Sequence, residues 1–234
     1  SLDDGDIFKE IVSQLALTYN MSHAFIAIID PENNGIAETV AAWAEGDFMD
    51  NISYSLEGTP CQHVMERNEM CFYPDDLQEL FPEDQLVVEM GVKSYVGVPL
   101  VSSHNEVLGL VVVLNNKAMT IQPQHIQVLK SLAARASMEL ERREADKKLK
   151  LSARVFSEAH EGIFITYPDG SIVDVNPTFC EITGYQRDEV IGRNPRVFSS
   201  GKHTPEFYAE MWQSVIENGY WHGEVWNCKK GGEL

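Results

Sequence analysis

The run Asn176-Pro177-Thr178-Phe179-Cys180-Glu181-Ile182-Thr183-Gly184 constrains the fold more than any other stretch of this chain. Asn176 is a helix cap, Pro177 fits the first helical position, Phe179 and Ile182 share a face, and Gly184 is a stop. A second short helical turn is predicted to end at Gly192. Just upstream, Gly162–Thr166 and Ile172–Val175 flank Tyr167-Pro168-Asp169-Gly170, the pattern of two strands joined by a tight turn.

A chain of 234 residues with 44% hydrophobic content accommodates two modest domains. Its formal charge of -18, from 36 acidic and 18 basic residues, repels phosphate backbones and anionic surfaces. Neither nucleic acid nor direct membrane contact is expected. No apolar run approaches about 18 residues and no secretory leader is visible. A cytoplasmic location follows, with the cytoplasmic part of a membrane receptor left open. The opening Ser1 is read as the start of an excised fragment. Cys61, Cys71, Cys180 and Cys228 have no metal or disulfide spacing and are expected to be free thiols.

Along the chain, Phe8, Ile11, Val12, Leu15 and Tyr19 mark a first helix behind the acidic start Asp3, Asp4 and Asp6. A hairpin is predicted from Ala24–Ile29 and Ile36–Trp43 around the turn Pro31-Glu32-Asn33-Asn34-Gly35. After an irregular stretch, a second hairpin joins Ser94–Val101 to Val107–Leu114. From Gln124 the period changes: Ile126, Leu129, Ala133, Ala136 and Leu140 form a heptad seam that calls for a partner helix, here a second copy of the chain. The charged run Glu141–Lys148 interrupts it before Leu149, Ala153 and Phe156 resume a stripe on a shifted phase. That run reads equally as a plain helical linker or as part of a signalling helix. Near the end, Thr204-Pro205 starts a helix with apolar face Phe207, Met211, Trp212 and Val215, stopped by Gly219. Tyr220–Cys228 follows as a strand, with Trp221, Val225 and Asn227 on one face, and Lys229–Gly232 as a hairpin turn.

The hairpin and short helices around Asn176 resemble a PAS domain, which implies a sensor wall rather than a catalytic one. Residues 3 to 140 resemble a GAF domain through Leu56-Glu57-Gly58-Thr59-Pro60-Cys61-Gln62-His63-Val64, Gly91–Leu100 and Leu108–Val111. The departures are informative. Asn116-Lys117 is followed by Ala118–His125, without the Phe and acidic pair of cyclic-nucleotide-binding members. Cys61 is separated from His63 by Gln62, unlike the Cys-His pair of many bilin-binding members. In the second region, Trp221 and Asn227 occupy places similar to those in flavin-containing PAS domains. Gly192-Arg193-Asn194-Pro195-Arg196 matches the light-sensing run except that Pro195 replaces its cysteine. The resemblance therefore implies no photoadduct and leaves an FAD pocket with Trp221, Asn227 and Asn194 as cofactor-binding candidates.

Enzyme signatures are weak. Cys61 and His63, two apart, diverge on helix or strand. The histidines show no metal-ligand spacing, and His203 lies in a loop without the marks of a haem ligand. Asp75, Asp76 and Glu79 read as a charged helix start.

The expectation is an α+β chain. A GAF-like antiparallel sheet with flanking helices occupies 1–122, a helical linker with coiled-coil spacing 123–157, and an incomplete PAS-like antiparallel sheet with short helices 158–234. Its expected function is the sensory input of a bacterial signalling protein, detecting a small molecule or redox state. The output domain beyond it would be of diguanylate cyclase, phosphodiesterase or histidine kinase type. The rivals are a ligand-free dimerisation scaffold and a GAF-type methionine sulfoxide reductase using Cys61 and Cys71.

Overall fold

The computed structural model of the chain describes residues 6–30 and 33–234. Asp3, Asp4 and the Pro31-Glu32 part of the expected turn lie outside the described residues. The chain divides into two compact units, one through Ala145 and one from Asp146.

In the first unit the order is α1 (Asp6–Tyr19), β1 (His23–Asp30), β2 (Asn33–Ala44), β3 (Asp47–Met49), β4 (Ser53–Ser55), α2 (Pro60–Arg67), β5 (Cys71–Tyr73), α3 (Leu77–Leu80), α4 (Gln85–Glu89), β6 (Ser94–Val101), β7 (Val107–Asn115) and the start of α5 (Pro123–Glu158). The strands form one antiparallel sheet in the order β3-β2-β1-β7-β6-β5, with β4 also paired to β2. The central strands are apolar on both faces because both faces are covered. Strand alternation sends Ala24, Ile26, Val96, Val98, Leu100, Val111 and Val113 to one core, where they meet Phe8, Ile11, Val12 and Leu15 of α1 and Leu129, Leu132, Ala133 and Ala136 of α5. The opposite residues, among them Ala27, Tyr95, Leu110, Val112 and Leu114, face a second core roofed by α2, α3 and α4.

This packing reassigns the heptad seam. Leu129, Ala133 and Ala136 are buried in the first unit's own core and Leu140 packs against it, while Ile126 is half-buried. The partner that Leu129, Ala133 and Ala136 call for is therefore the chain's own sheet and α1, which occupy their face of the helix. The expected boundary at 122 moves for the same reason: the first half of α5 completes the first unit, and the compact unit ends only after Ala145. The helix runs unbroken through Glu141–Lys148. Glu139 lies beneath this charged stretch, buried and clamped by Arg142 at 2.9 Å and Arg143 at 2.8 Å. The two guanidinium groups hold its carboxyl at about 2, far below its ordinary value.

The second unit contains β8 (Phe164–Thr166), β9 (Ile172–Val175), α6 (Pro177–Thr183), α7 (Arg187–Val190), a 3-10 turn (Pro195–Phe198) and α8 (Pro205–Asn218). β8 and β9 form the expected hairpin. Asn176 is fully buried, and its side chain satisfies three backbone groups. It accepts from Phe179 N at 2.9 Å and Ile163 N at 2.8 Å, and donates to Glu161 O at 2.8 Å. Gly184 closes α6 at φ 76°, a left-handed position suited to glycine. Ile172, Val175, Phe179, Val190 and Phe198 form the core. Ile182, expected to share the buried face of Phe179, is 50% exposed. Phe207, Met211 and Val215 of α8 are half-buried, whereas Trp212 is exposed.

The strand expected at Tyr220–Cys228 is not formed. Among the described residues this segment makes a single bridge, Asn227 to Ser199, which includes the backbone bond from Cys228 N to Phe198 O. Alternating residues make a strand only where a neighbour supplies the ladder, and here the ladder stops at one bridge. The expected turn at Lys229–Gly232 is present, closed by Gly232 N to Lys229 O at 2.9 Å.

Candidate functional site

The site with the most chemical definition lies in the first unit, between the sheet and the helices that roof its second core. Thr59 caps α2: its Oγ1 accepts from Gln62 N at 3.3 Å and donates to Leu56 O at 2.7 Å. With Pro60 at the first helical position, this cap sets Cys61 in the first turn, buried against the sheet. Asp84 caps α4 in the same manner, accepting from Val87 N at 3.2 Å. β4 delivers Tyr54 and β6 delivers Tyr95, and both phenols converge on one atom. Tyr95 Oη donates to Cys61 Sγ at 3.5 Å and Tyr54 Oη at 3.7 Å. The Tyr95 ring reaches that position by lying across Gly97, where a Cβ would also come 2.7 Å from Val64 Cγ2.

Around this triad is a cavity of about 70 Å³, lined also by Phe25, Ile52, Val87, Met90 and Leu114. Its ionisable lining groups among the described residues are Asp50, Asp84, Cys61, Tyr54 and Tyr95, with no lysine, arginine or histidine among them. Burial raises the Asp84 carboxyl and pushes both tyrosines well above their usual range. Burial likewise drives the Cys61 thiol up to about 11, the two phenol hydrogen bonds offsetting only part of it. A nucleophilic cysteine requires the opposite shift, and the Cys71 thiol is also raised, chiefly by burial. His63 takes no part in the triad. Its Nδ1 lies 2.6 Å from Tyr73 Oη and its ring packs edge-on to Phe81.

β6 is the partition between this cavity and α5. Tyr95 faces the cavity side, while Val96, Val98 and Leu100 pack in the core that contains Leu129, Leu132, Ala133 and Ala136. The turn after β6 is tied to the same helix, because Ser103 N and Ser103 Oγ both donate to Glu141 Oε1, at 3.0 and 2.7 Å.

The cofactor candidates of the second unit have local roles. The Asn194 carboxamide caps the 3-10 turn, accepting from Arg196 N at 3.1 Å. The Trp221 ring stands edge-on to Phe207 with centroids 5.8 Å apart, and Asn227 bridges Ser199. His203 stacks on Phe207 at 4.1 Å and accepts from Trp226 N at 2.8 Å. These contacts order turns and a helix face, and none of them marks a flavin pocket.

The Tyr54–Cys61–Tyr95 convergence and the cavity-facing Asp84 depend on contacts between residues far apart in the sequence. One signal was present: a tyrosine in the otherwise aliphatic strand Ser94–Val101 is a buried phenol in need of a partner.

The GAF domain family matches residues 4–140 and the PAS domain family residues 160–234. A nitrogen fixation regulatory protein of Klebsiella oxytoca is 30% identical over 94 residues, covering 35% of this chain and 19% of the relative. Hybrid signal transduction histidine kinase F of Dictyostelium discoideum is 22% identical over 227 residues, covering 97% of this chain and 19% of the relative. The chain thus spans about a fifth of the length of these relatives. Among solved structures, the GAF domain of Acinetobacter phosphoenolpyruvate-protein phosphotransferase superposes with a TM-score of 0.51 at 19% identity, covering 63% of this chain and 88% of that domain. The PixJ GAF domain of Thermosynechococcus elongatus gives 0.52 at 18% identity, covering 64% and 92%. The sheet roofed on both faces, the short helices around Asn176 and these matches agree: over more than half its length the chain belongs to the GAF domain family, and it continues into a PAS domain, a pair of non-catalytic sensory domains of signalling proteins.

Proposed function

We propose that this sensory input module works by small-molecule occupancy of the GAF cavity, read out through α5 by an output domain beyond the segment. The observation that carries this reading is the placement of β6, with the cavity triad on one face and α5 packed on the other. An occupant that moves Tyr95 moves the strand on which the helix rests. Redox sensing is the weaker branch, since burial holds the Cys61 thiol at about 11. A histidine kinase output is favoured over a cyclic-di-GMP enzyme, because the relative aligned along nearly the whole chain is a histidine kinase. A cytoplasmic placement accords with the buried free thiols Cys61 and Cys71, and no helix among the described residues is long and apolar enough to cross a membrane.

Pairing of two copies belongs to the same proposal but requires a different helix face from the buried seam. Met138, Ala145, Leu149 and Phe156 recur at steps of seven and four, and Met138 and Leu149 are 68% and 69% exposed. Such a stripe meets its own equivalent in a parallel pair.

The test is a ligand surrogate. Ala42 lines the cavity, and Ala42→Phe fills it. Amide exchange of the first half of α5 and of the Ser102–Asn105 turn is expected to change in this variant. Unchanged exchange in α5 would count against the coupling.

A further inference from the structure

The cavity's walls specify its occupant more narrowly than its size alone. Among the described residues sixteen line it, and of these none carries a positive charge and Asp50 and Asp84 are the carboxylates. An anion entering here finds no counter-ion and faces the buried carboxyl of Asp84. The cavity, of about 70 Å³, is of a size for a compact ligand.

The polar pair inside is equally specific. Tyr54 and Tyr95 both aim their hydroxyl protons at Cys61 Sγ, at 3.7 and 3.5 Å, and a thiol sulfur is a weak acceptor. The buried phenol of Tyr95 and the partly buried phenol of Tyr54 therefore share one poor partner, and an oxygen acceptor brought between them is a better one. The remaining walls, including Phe25, Ile52, Val87 and Leu114, are apolar.

We propose that the GAF cavity binds an uncharged, compact organic molecule with one oxygen acceptor, such as a small ketone, whose oxygen takes the hydroxyl protons of Tyr54 and Tyr95 from Cys61. This rests on the reading of the cavity as the sensory site and narrows its ligand class. Apolar walls hold the carbon skeleton, the phenols orient the oxygen, and the lack of any cation excludes carboxylates and phosphates. Binding releases Tyr95 from the sulfur, on the strand that underlies α5.

Three probes of equal heavy-atom count test the class on the full chain: cyclopentanone, methylcyclopentane and isobutyrate, titrated with the ring signals of Tyr54 and Tyr95 followed by NMR. Cyclopentanone is expected to bind, methylcyclopentane to bind about two- to tenfold more weakly, the worth of a hydrogen bond, and isobutyrate not to saturate. Tyr95→Phe should lower cyclopentanone affinity toward that of the hydrocarbon, whereas Cys61→Ala, which frees both phenols, should raise it. These opposite signs separate a binding role from a structural one, since general loosening of the site moves both variants the same way. Isobutyrate binding as tightly as the ketone, methylcyclopentane matching it, or Tyr95→Phe leaving its affinity unchanged overturns the ligand class while keeping the cavity as a small-molecule site. Should none of the probes enter, and xenon not enter either, the reading of the cavity as a receptor site falls and the ligand class falls with it.

Discussion

At the scale of single residues, Cys61 shows how the same side chain supports one chemistry and denies another. Its thiol ionises ordinarily near 9.0 and in the fold only near about 11, because the charged form is unhydrated in the second core. Between these values the unfolded chain has lost the proton and the folded chain keeps it, so stability of the GAF unit falls as pH rises from about 9. The loss amounts to about 2–3 kcal/mol by pH 11 from this group alone. Tyr54 and Tyr95, raised by the same burial, add to the decline above pH 10. Urea titrations at intervals from pH 8 to pH 10.5 are expected to show a shallower decline for Cys61→Ala than for the unaltered chain. Parallel declines would mean that the thiol is hydrated in solution. Asn176 is the contrasting case, a residue whose role was legible from its neighbours. A capping residue before Pro and three before a buried Phe has few other uses, and the structure adds only the two bonds to Ile163 and Glu161 that make it a hub.

Elements were legible where one rule of periodicity or capping governed them. α1, the two long hairpins, α6 and α8 follow from apolar spacing, caps and left-handed glycines, and all lie close to where those signals put them. Between Asp47 and Met90 the starts of α2 and α3 were legible at Thr59-Pro60 and at Asp75 and Asp76, whereas the three short strands and α4 were not, because they are set by tertiary contacts. β3 and β4 exist only as partners of β2, and α4 is started by one Asp84 cap. The seam of α5 teaches a different lesson. Heptad spacing says that a helix face is buried, yet it is silent on whether a second copy or the chain's own sheet does the burying. The two cases separate by mutation. Leu129→Asp places a charge in a core position that is 3% exposed and should destabilise the GAF unit by about 3–5 kcal/mol, read from thermal or urea unfolding. Leu149→Asp alters a residue 69% exposed and should leave that unfolding unchanged while shifting sedimentation toward the monomer. A destabilised Leu149→Asp, or an unperturbed Leu129→Asp, contradicts the burial described for α5.

Across the whole molecule, charge sets the response to solvent. Fold class and domain order were legible because two runs, Gly91–Val113 and Gly162–Gly192, carry patterns that few arrangements satisfy, whereas the site was not, since its walls come from β1, β2, β3, β4, α2, α4, β6 and β7 and meet only after folding. Net charge, by contrast, is a property of composition alone and acts on the fold as a whole. At -18, most of it on exposed carboxylates, the compact chain repels itself more than the expanded one. Salt screens that repulsion, the Debye length falling to about 10 Å at 0.1 M. It also weakens exposed pairs such as Arg154–Glu158 and Lys150–Asp146, but these contribute little in water. The Glu139 clamp, with its carboxylate 7% exposed, is sheltered from the added ions. Self-repulsion therefore outweighs the pairs, and the melting temperature should rise as sodium chloride increases from about 20 to about 300 mM. A flat or falling melting temperature would show that the ion pairs, rather than the excess of acid, govern how this chain responds to salt.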